Sequence, residues 1–103
     1  MALAKEFRAA LTRREVAIRD FYGLAHAVRA LGIDLRDSEL VELVRRRLEV
    51  PGNEPVDASP DRLAKLRRQM TARLRPVLRQ QDFDAFDLHR AFEIMATMGK
   101  LMA

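Results

Sequence analysis

The sequence predicts an all-α fold, a small bundle of four main helices, and three observations support this. Apolar residues recur with a spacing of three and four along most of the chain, which places them on one side of a helix. Residue types that begin and end helices stand at the borders of these periodic stretches. No stretch carries the signature of a strand. The runner-up is an extended helical hairpin that completes its core by dimerising.

Composition indicates one water-soluble domain, which we expect to span residues 1–103. The chain has no cysteine, which excludes disulfides and thiolate metal sites and agrees with a reducing compartment. The N-terminal segment MALAKEFRAAL has charges inside its apolar run, unlike a signal peptide, and no stretch approaches the ~18 uninterrupted apolar residues of a membrane span. We therefore predict a cytoplasmic protein that does not bind membranes.

The first main helix is predicted over 13–31. Thr12 followed three residues later by Glu15 is a capping box, the sharpest local signal for a helix start in the chain. Its apolar side comprises Ala17, Phe21, Leu24, Val28 and Leu31. Gly32 suits the left-handed residue that ends a helix. A short additional helix over 3–10 is compatible with the apolar residues there.

The second helix is predicted over 38–49, with Asp34 or Asp37 as its cap. Its last turn carries the arginine triplet 45–47. Successive helical residues point about 100° apart, so these three side chains do not form one patch, and we interpret them as a charge-matched helix end. The prolines, glycine and asparagine of residues 50–58 predict a loop.

The third helix is predicted over 60–79. Ser59 is suited to cap it, and Pro60 is suited to its first position. Its apolar stripe comprises Leu63, Leu66, Met70, Leu74 and Val77. Pro76 lacks an amide donor, so the helix either kinks there or stops and continues as a turn to Gln80.

This third helix holds the net basic charge of the protein. Residues 62–79 carry seven basic residues and no acidic one, whereas the rest of the chain has 12 of the 19 basic residues against all 15 acidic ones. At about 100° per residue, four cations fall together, roughly opposite the apolar stripe. They are Lys65, Arg68, Arg75 and Arg79. A turn at Pro76 would direct Arg79 away and leave a patch of three. This face is a candidate binding site for the phosphate backbone of DNA or RNA.

The fourth helix is predicted over 84–102, starting near Asp82 or Asp84. It is apolar over a wide arc and rich in methionine. Met95, Met98 and Met102 either fill the core or line an adaptable groove for a partner protein or a second copy of the chain.

No catalytic, cofactor or metal motif is present. The two histidines are not one turn apart on a helix and there is no cysteine, so the chain has fewer nitrogen and sulfur ligands than a zinc site needs. There is also no glycine-rich phosphate loop and no nucleophile elbow. Asp82, Asp84 and Glu93 match positions one, three and twelve of a calcium-binding EF-hand loop, but Asp87 stands where that loop requires glycine. We therefore expect no enzyme activity, no metal and no cofactor.

Two functions follow from these patterns. The first is a non-catalytic helical subunit that binds nucleic-acid backbone through the basic helix, within a larger complex. The alternative is a protein-binding adaptor or assembly subunit that uses the methionine-rich last helix, or turns the basic face toward an acidic partner. The lack of aromatic residues among the basic ones argues against stacking on bases.

Overall fold

Six α-helices and one π-helical turn form the fold in the computed structural model, which describes residues 2–102 and has no strand in that range. In chain order they are α1 (Ala2–Thr12), α2 (Ile18–Leu31), α3 (Ser38–Glu49), α4 (Pro60–Gln69), the π-helical turn (Met70–Leu74), α5 (Gln80–Ala85) and α6 (Leu88–Met102). The all-α prediction is confirmed. The radius of gyration is 13.2 Å, close to the ~13 Å of a compact 100-residue domain, so the chain does not form an extended hairpin.

The N-terminal helix α1 is central to the core. It packs against α2, α3 and α6, and the side chains of Phe7, Ala10 and Leu11 have no exposed surface. Full burial of a side chain such as phenylalanine stabilises a fold by about 1.5–3 kcal/mol. The short helix that the sequence left open is therefore a three-turn helix on which three others pack.

The predicted helix start at residue 13 is wrong, because Thr12 ends α1 instead of capping α2. Its hydroxyl donates to the Arg8 carbonyl at 2.7 Å, and Glu15 is exposed in a non-helical connection. Threonine can bond backward to a carbonyl four residues earlier as well as forward to an amide. The capping-box pattern does not distinguish these two uses.

A distant side chain caps α2 in its place. The amide oxygen of Gln69 accepts from the Ile18 N–H at 2.8 Å, and the amide nitrogen of Gln69 donates to the Val16 carbonyl at 2.7 Å. Ala17, the residue before the helix, makes no side-chain cap. Gln69 thus satisfies an orphan donor at the helix start and ties α4 to it.

Other helix ends agree with the sequence. Gly32 ends α2 in the left-handed conformation at φ 60°, where a side chain would be strained. Asp37 accepts from the Leu40 N–H at 3.1 Å, and Ser59 accepts from the Arg62 N–H at 3.4 Å. Each carboxylate or hydroxyl satisfies an amide that the helix itself leaves free.

The last two predicted helices are each divided. Helical geometry from Pro60 ends with the π-helical turn, so Pro76 lies beyond the helix and does not kink it. The predicted helix over 84–102 is two elements, α5 and α6, with a break at residues 86–87. Asp87 caps α6 by accepting from the Arg90 N–H at 3.0 Å.

Helices α2 and α6 pack along each other and complete the core. The rings of Phe21 and Phe92 stack with centroids 6.4 Å apart. Across the described helices, none combines the length and the apolar character that a membrane crossing requires.

Candidate nucleic-acid interface

The apolar stripe of α4 and the π-helical turn holds their basic side chains outward. Leu66 and Leu74 are buried against the core, with Leu63 and Met70 half-buried beside them. Lys65 and Arg68, two of the four predicted cations, are exposed one helical turn apart on α4. The structure therefore presents this pair as the sequence predicts.

Arg62 is not part of any surface. Only 5% of it is exposed, and its guanidinium donates to two carbonyls at the end of α1: Nε and Nη2 to Ala10 at 3.2 and 2.6 Å, and Nη1 to Arg13 at 3.0 Å. Burial lowers the pKa of Arg62 below its usual value, yet arginine keeps its charge in proteins. One of the seven cations in 62–79 is thus a structural cap on the negative end of α1.

Arg75 and Arg79 are placed against α5 and do not extend the face of α4. The guanidinium carbon of Arg75 lies 5.6 Å from the centre of the Phe83 ring, within the range of a cation–π contact. Arg79 precedes α5 and pairs with Asp82, with 3.0 Å between Nε and Oδ2. The single continuous face of four residues is therefore wrong.

The π-helical turn explains the split. The Arg75 N–H donates to the Met70 carbonyl five residues back at 3.0 Å, so this turn holds one residue more than an α-helical turn. Residues beyond it are shifted by one position, about 100° around the axis. Pro76 would clash with the carbonyl four residues before it in regular α geometry, and the widened turn stands just ahead of it.

Two further cations were missed by the helical wheel. Arg67 is exposed on α4, with its Nη2 3.1 Å from Nε2 of His89 on α6. Since a guanidinium only donates, that ring nitrogen accepts. Arg73 is exposed on the π-helical turn, and no local pattern in the sequence announces such a turn. In the sequence, only the excess of basic residues over 62–79 as a whole included Arg67 and Arg73.

Five exposed cations on residues 65–75 have no acidic partner among residues 2–102. Within the described chain, the residues of 62–79 take part in one ion pair, that of Arg79 with Asp82. We call these five exposed residues the basic segment: Lys65, Arg67, Arg68, Arg73 and Arg75. Their positive charge is available to an external anion.

The predicted partner surface on the last helix is largely absent. Met95 and Met98 have no exposed surface and belong to the core, so they do not line a groove. Met102 is half-buried and packs at the edge of the core. The wide apolar arc of α6 is covered because α1, α2 and α3 all pack against it.

Asp82 and Asp84, which match two positions of a calcium-binding loop in the sequence, make local contacts at α5. Asp82 and Asp84 lie within α5, where Asp82 pairs with Arg79 and Asp84 accepts from the Gln80 amide at 2.8 Å. Over residues 2–102, no three acidic or histidine side chains come together as metal ligands would.

Comparison of the chain with protein-family models, curated proteins and solved structures finds no match.

Proposed function

We propose that this protein is a non-catalytic subunit that binds the phosphodiester backbone of DNA or RNA through the basic segment. The observation that carries the proposal is the exposure of five cations within eleven residues, none within 4.0 Å of a carboxylate in the described chain. Four of the five are arginines, whose planar guanidinium donates two parallel hydrogen bonds to a phosphate.

Backbone contact without base reading follows from the surroundings of the segment. Phe83, the aromatic ring beside it, already has Arg75 over one face, so that face is not free to stack on a base. Phosphate contacts alone position a protein but carry no sequence information. Such binding is weak at physiological salt, which suits one subunit of a larger complex.

The alternative function is a protein-binding adaptor. The sequence offered it two surfaces, the methionine-rich last helix and the basic helix, and only the second is exposed in the structure. Burial of Met95 and Met98 removes the methionine-rich surface from it. The basic segment could still bind an acidic protein surface, because its unpaired cations would suit carboxylates as well as phosphates. Nucleic acid is the better-matched ligand because it presents anions at regular spacing along a chain.

A salt titration tests the proposal. The slope of log affinity against log salt is expected to be no steeper than about −4.5 on duplex and about −3.5 on single strands, the limits at which all five cations contact a phosphate. Replacing Arg68 and Arg75 by glutamine should flatten the slope by about one to two units and weaken binding similarly on unrelated sequences. Fluorescence anisotropy with random-sequence DNA and RNA measures both quantities.

The matched control replaces Arg45 and Arg46 by glutamine. These two arginines are on α3 and both pair with Glu42, at 3.1 and 3.3 Å, so the same change in net charge should leave affinity nearly unchanged. The proposal fails if the wild type does not bind at about 50 mM salt, or if the control weakens binding as much as the test variant does.

A further inference from the structure

A groove lies between the start of α2 and the π-helical turn. It encloses about 680 Å³, within the range of ligand-binding clefts. Half of its lining residues are aliphatic; among them Leu74 is buried, Ala17 is half-buried and Val77 is exposed. Val77 is 75% exposed, more than any other large apolar residue in the described chain. The groove therefore offers a partner one large exposed apolar side chain, Val77, beside the charged residues of its lining.

The two walls of this groove are joined by Gln69. Its amide bonds both the N–H of Ile18 and the carbonyl of Val16, on the wall opposite the π-helical turn. These two hydrogen bonds fix the end of α4 against the start of α2, so the two walls of the groove keep a defined spacing. A pre-formed site loses less conformational entropy on binding than a flexible one.

The rim of the groove is basic. Arg13, Arg19 and Arg73 line it, against Glu15 as the one acidic residue of the lining. Arg13 pairs with Asp20 at 2.9 Å, whereas no carboxylate lies within 4.0 Å of Arg19 or Arg73 over residues 2–102. Within the described residues, these two unpaired guanidinium groups line the same groove as the exposed Val77.

From this arrangement we infer that the groove binds an acidic amphipathic segment of a partner protein. An apolar side chain of the segment covers Val77, and its carboxylates pair with Arg19 and with Arg73, which also belongs to the basic segment. Short helical peptides bind in this way, with apolar anchors three and four residues apart. A nucleic-acid strand is the poorer match, because the groove offers aliphatic side chains and no aromatic ring on which a base would stack.

A peptide-display selection tests this inference. A large random library of 16-residue peptides is selected on the wild-type protein and depleted on the Val77→Asp variant. The enriched peptides are expected to share apolar residues three or four apart with aspartate or glutamate between them. A synthetic peptide from the enriched set should bind about tenfold more weakly to Val77→Asp, because the new carboxylate removes the apolar contact and repels the acidic peptide. It should bind measurably more weakly to Arg73→Gln, because an ion pair with the peptide is lost.

Val50→Asp is the matched control. Val50 is also an exposed valine, 57% accessible, but it lies at the end of α3 outside the groove lining, so this variant should bind the peptide as the wild type does. Circular dichroism is used to check that all variants fold.

Four results would overturn the inference. The selection could yield no peptide dependent on Val77, or only peptides without acidic residues. Light scattering could show that the wild type dimerises and that Val77→Asp is monomeric, which would assign the groove to a second copy. Random oligonucleotide affinity could fall with Val77→Asp as steeply as peptide affinity, which would assign the groove to nucleic acid.

Discussion

Replacing Met98 by alanine is expected to lower the free energy of unfolding by about 2–5 kcal/mol. Met98 has no exposed surface, so the truncation leaves a cavity between α6 and the helices that pack on it. A loss of this size is a large fraction of the 5–15 kcal/mol that stabilises a typical domain. Urea unfolding followed by circular dichroism measures it.

Met102→Ala is the matched control on the same helix. Met102 is half-buried, so its truncation removes fewer contacts and should cost about 1 kcal/mol or less. If Met98→Ala instead unfolds like the wild type and abolishes self-association or partner binding, Met98 belongs to an interface and the packing described above is wrong.

Replacing Arg62 by methionine is expected to cost about 2–3 kcal/mol. Methionine keeps much of the apolar stem but removes three hydrogen bonds to the carbonyls of Ala10 and Arg13. Those carbonyls end α1, where no further helical N–H is available to them. The positive charge that opposes the dipole of α1 is lost as well.

Arg68→Met separates this effect from the loss of a charge. Arg68 is exposed six residues further along the chain, and its replacement should change stability by no more than about 0.5 kcal/mol. Equal unfolding midpoints for the Arg62 and Arg68 variants would contradict the capping role of Arg62. Arg62→Met should also leave the salt slope of nucleic-acid binding unchanged, because the side chain is buried.

The sequence predicted those features of the fold that depend on residues near one another in the chain. Ser59 caps α4 and Gly32 ends α2, each through contacts within a few residues. The cap of α2 was not predictable in this way, since Gln69 lies 51 residues from Ile18. Thr12 misled because its hydroxyl can serve either the helix behind it or one ahead.

The same division applies to the candidate site. Lys65 and Arg68 follow from helical periodicity, whereas the positions of Arg75 and Arg79 depend on a π-helical turn that no residue pattern announces. One feature of the sequence, the position of Arg62 in the first turn of α4, pointed to its role. A cation in the first turn of a helix opposes the helix dipole, which indicates that another interaction holds it there.

A nuclear magnetic resonance titration tests the central claim most directly. Adding a random-sequence oligonucleotide at low salt to ¹⁵N-labelled protein should shift the amide resonances of residues 65–75 most strongly, with α1 and the buried part of α6 little affected. The claim is contradicted if the spectrum does not change, or if the largest shifts fall on α3 around Arg45 and Arg46 and leave the basic segment unperturbed.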